Sequence, residues 1–195
     1  MIAPPLLVLA STSRYRSALL ARLGVPFRAE APDCDEEALK AEGMEPQALA
    51  EALALAKAES LRARFPGAAI LGGDQVAAID GQVLGKPGSV EGAERQLGRL
   101  AGRTHALITA VALIAGEKVL RRTEVARLTM RSLTGAQITR YVAADEPVDC
   151  AGAYKLEQRG IALFSRIEAA DHTGIVGLPL IAITGMLEEV GFGIL

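Results

Sequence analysis

The stretch Ile70–Pro87, ILGGDQVAAIDGQVLGKP, decides how this chain folds. Its lead-in, Ala68-Ala69-Ile70-Leu71 followed by Gly72-Gly73, predicts a buried strand that ends at a tight turn. Asp74 comes next, where the strand delivers a carboxylate to the rim of a sheet. Val76–Ile79 and Gln82–Leu84 flank Asp80-Gly81, the strongest short-range signal of a β-hairpin. The returning strand ends in Gly85-Lys86-Pro87. A hairpin brings its far end back to its start, so Lys86 is expected within several ångströms of Asp74. An acid and a base at a glycine-flanked rim suit a phosphorylated ligand and a metal. They equally suit a surface hairpin with solvated end charges, and this stretch alone leaves both readings open.

Working outward, 195 residues suit one domain with a real core, and the composition is that of a soluble globular chain: half the residues are apolar and only 4% aromatic. A formal charge of −2 excludes a uniformly basic nucleic-acid binder. No run of about 18 apolar residues indicates a membrane span. The amino-terminal MIAPPLLVLASTSR resembles a leader only superficially, since it lacks a basic start and its apolar run is short. Cys34 and Cys150 form no CxxC and fit free thiols in a reducing cytosol, which points to a cytoplasmic protein. With only His105 and His172 present, any metal should be hard and held by oxygen.

Leu6–Ala10 reads as an interior strand, and Ser11-Thr12-Ser13 caps a helix over about 14–23, ended by Gly24. Arg14 and Arg16 in its first turn have the wrong sign for the macrodipole. Amides, hydroxyls and guanidinium groups at one helix start suit phosphate oxygens better than they suit an ordinary cap. A short strand over 26–30 leads to the acidic Asp33-Cys34-Asp35-Glu36-Glu37, which by itself reads as a solvated loop and helix start. Pro46 opens a long helix to about Arg64, from which Lys57 either snorkels at the surface or reaches into a cleft. A helix over 89–101 follows, then a long hairpin of 104–115 and 118–130 about Gly116-Glu117. Thr134 and Gln137 cap a helix to about Ala143. Cys150–Glu157 is a loop or strand, with Lys155 and Glu157 on one face if extended. Gly160–Phe164 reads as a strand, and Ile175–Leu180 enters a last helix to about Val190. The pattern predicts an α/β fold with a mixed, twisted sheet and flanking helices. Rossmann, P-loop and nucleophile-elbow motifs are absent.

With these residues laid out, the chain resembles the Maf family of nucleoside triphosphate pyrophosphatases. Six segments carry the likeness in order: LVLASTSRYRSALLARLG, APDCDEEAL, GGDQV with GKP, AGRTHALITAVAL, CAGAYKLE and GLPL. The resemblance implies a single domain over 1–195, without a separable linker, whose two lobes bind a nucleotide in the cleft between them. It implies hydrolysis of the α–β phosphoanhydride, releasing a monophosphate and pyrophosphate with Mg²⁺ or Mn²⁺. It puts phosphate binding on Ser11, Ser13, Arg16, Lys57 and Lys86, metal binding on Glu36 and Asp74, and the role of proton acceptor on Asp74. The chemistry suits these types: three cations offset a polyanion, and two carboxylates suit a hard cation. Homodimers are plausible by resemblance alone. At the rim, Asp74→Asn is expected to abolish turnover with little loss of stability.

Base choice in the family tracks three positions, here Tyr15, Gln75 and Glu157. This trio resembles the branch acting on 7-methyl-GTP, whereas the branch acting on dTTP and UTP typically shows Arg, Thr and Gln. A carboxylate can accept from guanine N1–H and its amino group, and an aromatic ring can stack on a cationic purine. The competing readings are dTTP, UTP or broader turnover, and a nucleotide-binding regulatory protein linked to septum formation. The loop CAGAYKLE departs from the branch's CAGSFKSE-like sequence.

Overall fold

The structure is a computed structural model and describes residues 5–195. The first four residues of the amino-terminal stretch, read above against a leader, lie outside it. Among the described residues, seven strands form one mixed sheet in the order β2 (Phe27–Glu30), β1 (Leu7–Ala10), β3 (Ala69–Ile79), β5 (Thr104–Ala115), β6 (Lys118–Met130) and β7 (Phe164–Glu168), with β4 (Gln82–Leu84) paired to β3. The chain divides into two compact units: residues up to Gln75 with Thr109–Glu124 and Asp171–Leu195, and Val76–Ile108 with Val125–Ala170.

In the first unit, β1 (Leu7–Ala10) pairs in parallel with β2 (Phe27–Glu30) and with the start of β3 (Ala69–Ile79). Its unbroken apolar run follows from burial on both faces. Leu7 and Leu9 enter one cluster with Leu20, Leu71, Ile183 and Leu187, while Val8 and Ala10 enter another with Ala58, Leu61 and Ile70. The helices are α1 (Arg14–Ala21), α2 (Glu36–Ala41) and α3 (Pro46–Glu59), with α6 (His172–Val176) and α7 (Leu180–Glu189) near the end of the chain. The short α6 has no counterpart in the sequence reading.

β3 corrects one expectation. It runs straight through Gly72-Gly73 and Asp74 instead of ending there. A Cβ on Gly72 would stand 2.2 Å from the Ala54 carbonyl oxygen and 2.7 Å from the Ala58 nitrogen. The glycine lets the backbone of α3 approach the strand, and needs no turn.

In the second unit the end of β3 pairs antiparallel with β4 (Gln82–Leu84), from Ile79↔Gln82 to Ala77↔Leu84. Asp80 and Gly81 have φ of 52° and 72°, the twist that a two-residue hairpin turn requires. α4 (Val90–Leu100) is capped by Ser89 and packs on α5 (Gly135–Asp145), which opens with the expected capping box of Thr134 and Gln137. β5 (Thr104–Ala115) and β6 (Lys118–Met130) have the expected limits and are neighbours in the sheet; both pass through the two units.

The strand expected over Gly160–Phe164 is instead a 3₁₀ turn, Arg159–Leu163, and β7 occupies Phe164–Glu168, antiparallel to β6. The chain folds back too tightly for a strand there. Gly160 donates its N–H to the Lys155 carbonyl, and a Cβ on it would meet that oxygen at 2.4 Å. The preceding Cys150–Glu157 segment is a run of turns, with Gly152 at φ 83° and Ala153 at φ 59°, so Lys155 and Glu157 do not share a strand face.

Candidate active site

The first unit gathers most of the expected residues. β1 stops at Ala10, opposite Gly72, and Ser11-Thr12-Ser13 turns the chain into α1. Ser11 Oγ accepts the Ser13 N–H at 3.1 Å, and Ser13 Oγ caps α1 by accepting the Arg16 N–H at 3.4 Å. β3 meanwhile runs on to Ile79, so Asp74 stands two residues past its last pair with β1, beyond the carboxyl end of that parallel strand, the usual place for a ligand in such sheets.

Lys57, in the last turn of α3, is 6% exposed and Asp74 is 9% exposed. Lys57 Nζ donates to Asp74 Oδ1 at 2.6 Å and stands 3.1 Å from Glu36 Oε1, at the start of α2. The lysine therefore reaches inward and does not snorkel. Two carboxylates converge on one ammonium, and the buried member is held at the spacing of a charge-assisted bond. Asp74 Oδ1 is occupied by the lysine, which leaves Oδ2 as the oxygen open to a further partner.

Arg16 turns its Nε to the Gly177 carbonyl, at 3.2 Å. Burial pulls its guanidinium below the ordinary arginine value, while Asp74 and Glu36 pull the other way. Both acids thus sit close enough for their charges to be felt by Arg16. Gln75 is anchored through its Nε2, 2.9 Å from Thr109 Oγ1, 2.9 Å from the Gly174 carbonyl and 3.1 Å from the Ile175 carbonyl. Tyr15 is half-buried; Arg14 donates to its hydroxyl at 2.9 Å and lies over its ring.

Lys86 and Glu157 belong to the second unit, and both are exposed. Burial pushes the Asp149 carboxyl up, but hydrogen bonds from Cys150 and the backbone, with the charges of Lys155 and then Lys86, hold it below its usual value. Lys155 does not pair with Glu157. Its Nζ donates to the Asp145 and Glu146 carbonyls at the end of α5, at 3.0 and 3.2 Å, with Asp149 Oδ1 at 3.8 Å. Cys150 is a free thiol pushed up to about 12 by burial and by Asp149, which leaves no thiolate for chemistry at neutral pH.

Among the described residues, no group of three or more His, Cys, Asp or Glu side chains is placed to hold a metal ion. Also among them, no helix is long and apolar enough to cross a membrane.

The family profile described as Maf-like protein matches residues 6–190. The chain belongs to the Maf-like family. Curated relatives resemble this Maf-like chain over nearly its whole length. One from Bdellovibrio bacteriovorus is 48% identical over 94% of this chain and 96% of its own. One from Xanthomonas axonopodis pv. citri is 46% identical over 97% and 99%, and one from Bordetella pertussis 46% over 96% and 94%. Each of the three is named 7-methyl-GTP pyrophosphatase.

The sequence reading of this Maf-like protein missed the supports of the site. Thr109 donates to the Gly174 carbonyl at 2.8 Å while accepting from Gln75. Asp171 and Thr173 are 5% and 3% exposed and fully occupied by hydrogen bonds around α6. The signal was present: Asp-x-Thr ahead of a Gly-Leu-Pro stop is a helix cap.

Proposed function

We propose that this protein hydrolyses the α–β phosphoanhydride of 7-methyl-GTP to 7-methyl-GMP and pyrophosphate. The observation that carries the reading is the buried Lys57 joined to Asp74 and Glu36 just past the Ser11–Ser13 turn. The shared name of the full-length relatives supports the substrate.

In this reading Ser11, Ser13 and Arg16 receive phosphate oxygens, and Arg16 and Lys57 offset the charge that gathers on the departing pyrophosphate. Asp74 Oδ2 accepts a proton from the attacking water. The water oxygen bonds to the α-phosphorus, the bond from that phosphorus to the bridging oxygen breaks, and its electron pair leaves with pyrophosphate. Lys57, bonded to Oδ1, fixes which carboxylate oxygen does this work.

A divalent cation fits the donor chemistry: Glu36 and Asp74 provide two hard oxygens, and Mg²⁺ ordinarily completes its shell with phosphate oxygens and water. Glu36 and Asp74 would hold it once Lys57 yields an oxygen of the pair, and it would neutralise phosphate charge there. Tyr15 and Gln75 in the first unit, and Glu157 and Lys86 in the second, enter the reading through their motif positions, Tyr15, Gln75 and Glu157 for the base and Lys86 for phosphate.

Pyrophosphate release is to be measured with Mg²⁺ or Mn²⁺ against 7-methyl-GTP, GTP, dTTP and UTP. The expected result is a kcat/KM for 7-methyl-GTP well above the rest. Preference for dTTP and UTP would overturn the substrate, and binding without turnover of any triphosphate would leave a regulatory protein instead.

A further inference from the structure

We propose that Asp171 and Thr173 are positioning residues which, through the short helix α6, aim Arg16 and Gln75 together. The inference rests on the function proposed above. Three carbonyls in one stretch, at Gly174, Ile175 and Gly177, receive the side chains of Gln75 and Arg16. The element that sets the phosphate-facing arginine therefore also sets the base-tracking glutamine. A shift of α6 moves both.

With five residues, α6 cannot hold its own shape, since a single helical turn is unfavourable in isolation. What holds it is a closed set of buried bonds. Asp171 Oδ1 accepts the Thr173 N–H at 2.8 Å and the Thr173 hydroxyl at 2.6 Å, and Oδ2 accepts the Ile181 N–H at 2.8 Å. Thr173 Oγ1 in turn accepts the Leu180 N–H at 2.8 Å. The start of α6 is thus stapled to the start of α7. Gly177 closes the helix at φ 132°, a conformation open to glycine, and turns its carbonyl toward Arg16. A Cβ there would meet Arg16 Cγ at 3.5 Å, an ordinary contact, so the backbone conformation and not space is what calls for glycine.

The Thr173 hydroxyl is both donor and acceptor, a pair of roles that serine keeps and isosteric valine loses. The test uses the full chain as wild type, Thr173→Ser, Thr173→Val and Asp171→Asn, with KM, kcat and Tm measured for 7-methyl-GTP and UTP. The expected result for Thr173→Val is a KM raised about tenfold and a substrate ratio compressed about tenfold, within what an ångström-scale misplacement costs. Thr173→Ser should stay within about twofold of wild type. A Thr173→Val protein with a lower Tm but unchanged KM and ratio would show a plain helix cap and overturn the proposal. Should Thr173→Val not fold, Asp171→Asn is read on the same two quantities, and no change in either overturns it as well. A wild type that turns over only another triphosphate sinks the 7-methyl-GTP reading alone, and the Val and Ser variants are then compared on that substrate's KM. A wild type that binds no triphosphate ends both.

Discussion

Lys57 Nζ lies 2.6 Å from Asp74 Oδ1, and the two side chains are 8% and 12% exposed. Removing one partner of a buried pair leaves a charge that neither water nor a counter-ion satisfies, at about 3–5 kcal/mol. Here Glu36 remains 3.1 Å from the lysine, and asparagine can still accept a hydrogen bond. Asp74→Asn is therefore expected to cost about 1–3 kcal/mol, readable as a lower urea midpoint. This revises the rim picture, in which little stability was to be lost. Its kcat should fall at least 10²- to 10⁴-fold, the contribution typical of a proton acceptor. A variant with wild-type kcat would remove Asp74 from the reaction.

Gly72 has no room for a side chain, since a Cβ meets backbone atoms of α3 at 2.2 and 2.7 Å. Gly72→Ala should destabilise by about 1–3 kcal/mol or more, and a chain of this size loses about 2–4 °C of Tm per kcal/mol. Lys57 adjoins Ala58, so turnover should fall as well. Gly98→Ala is the control: it sits in α4 with nothing within 4 Å and should gain up to about 1 kcal/mol. Equal Tm changes for the two substitutions would refute the close-approach account.

His105 is 3% exposed, bonded through Nε2 to the Tyr154 hydroxyl at 2.9 Å, with no partner for Nδ1 among the described residues. Burial lowers its pKa from 6.5 to about 4. As pH falls below about 6.5, the unfolded chain takes a proton that the folded chain refuses, so stability drops until about pH 4, by about 3 kcal/mol at most. His105→Gln should flatten the dependence of Tm on pH in that window. Asp171 acts lower: burial would raise its carboxyl, but the bonds from Thr173 and Ile181 outweigh this and hold it below its ordinary value. Its stabilisation is present above about pH 4 and goes as the acid range is entered. An unchanged slope in His105→Gln would place the pH sensitivity elsewhere.

Glu157 is exposed, so Glu157→Gln should leave the unfolding free energy within about 0.5 kcal/mol of wild type. In the proposed role its carboxylate accepts from the base, and the amide offers a mismatched donor. The kcat/KM ratio of 7-methyl-GTP to UTP should fall about 10- to 100-fold, the worth of a charged hydrogen bond. Steady-state kinetics on both nucleotides checks this, and an unchanged ratio rejects the assignment.

Local chemistry made several elements readable in advance. Asp80-Gly81, the Thr134 and Gln137 box and the Ser13 cap are short-range signals, and each stands where its residues put it. The failures are non-local. Nothing near Gly72 in the chain says that α3 packs on it, so a glycine pair read as a stop is a contact surface. The fold-back of Gly160 onto Lys155 is hidden in the same way, because only the distant partner reveals that there is no room for a strand. Lys57 was legible as a cation but not as a buried one, since a helix stripe with a lysine one residue off its centre serves both outcomes. Asp171 and Thr173 carried a readable cap, yet their reach to Arg16 and Gln75 depends on carbonyls, which have no letter in a sequence.

The anchoring of Gln75 bears on how such a protein could change its diet. Its amide nitrogen is committed to Thr109, Gly174 and Ile175, which leaves Oε1 for a further partner. Exchanging it for the threonine of the dTTP and UTP pattern removes the nitrogen that satisfies the Ile175 carbonyl, whereas the Gly174 carbonyl keeps Thr109 and the Gly177 N–H. One letter is therefore a costly step for an evolving lineage unless the chain around Ile175 changes with it.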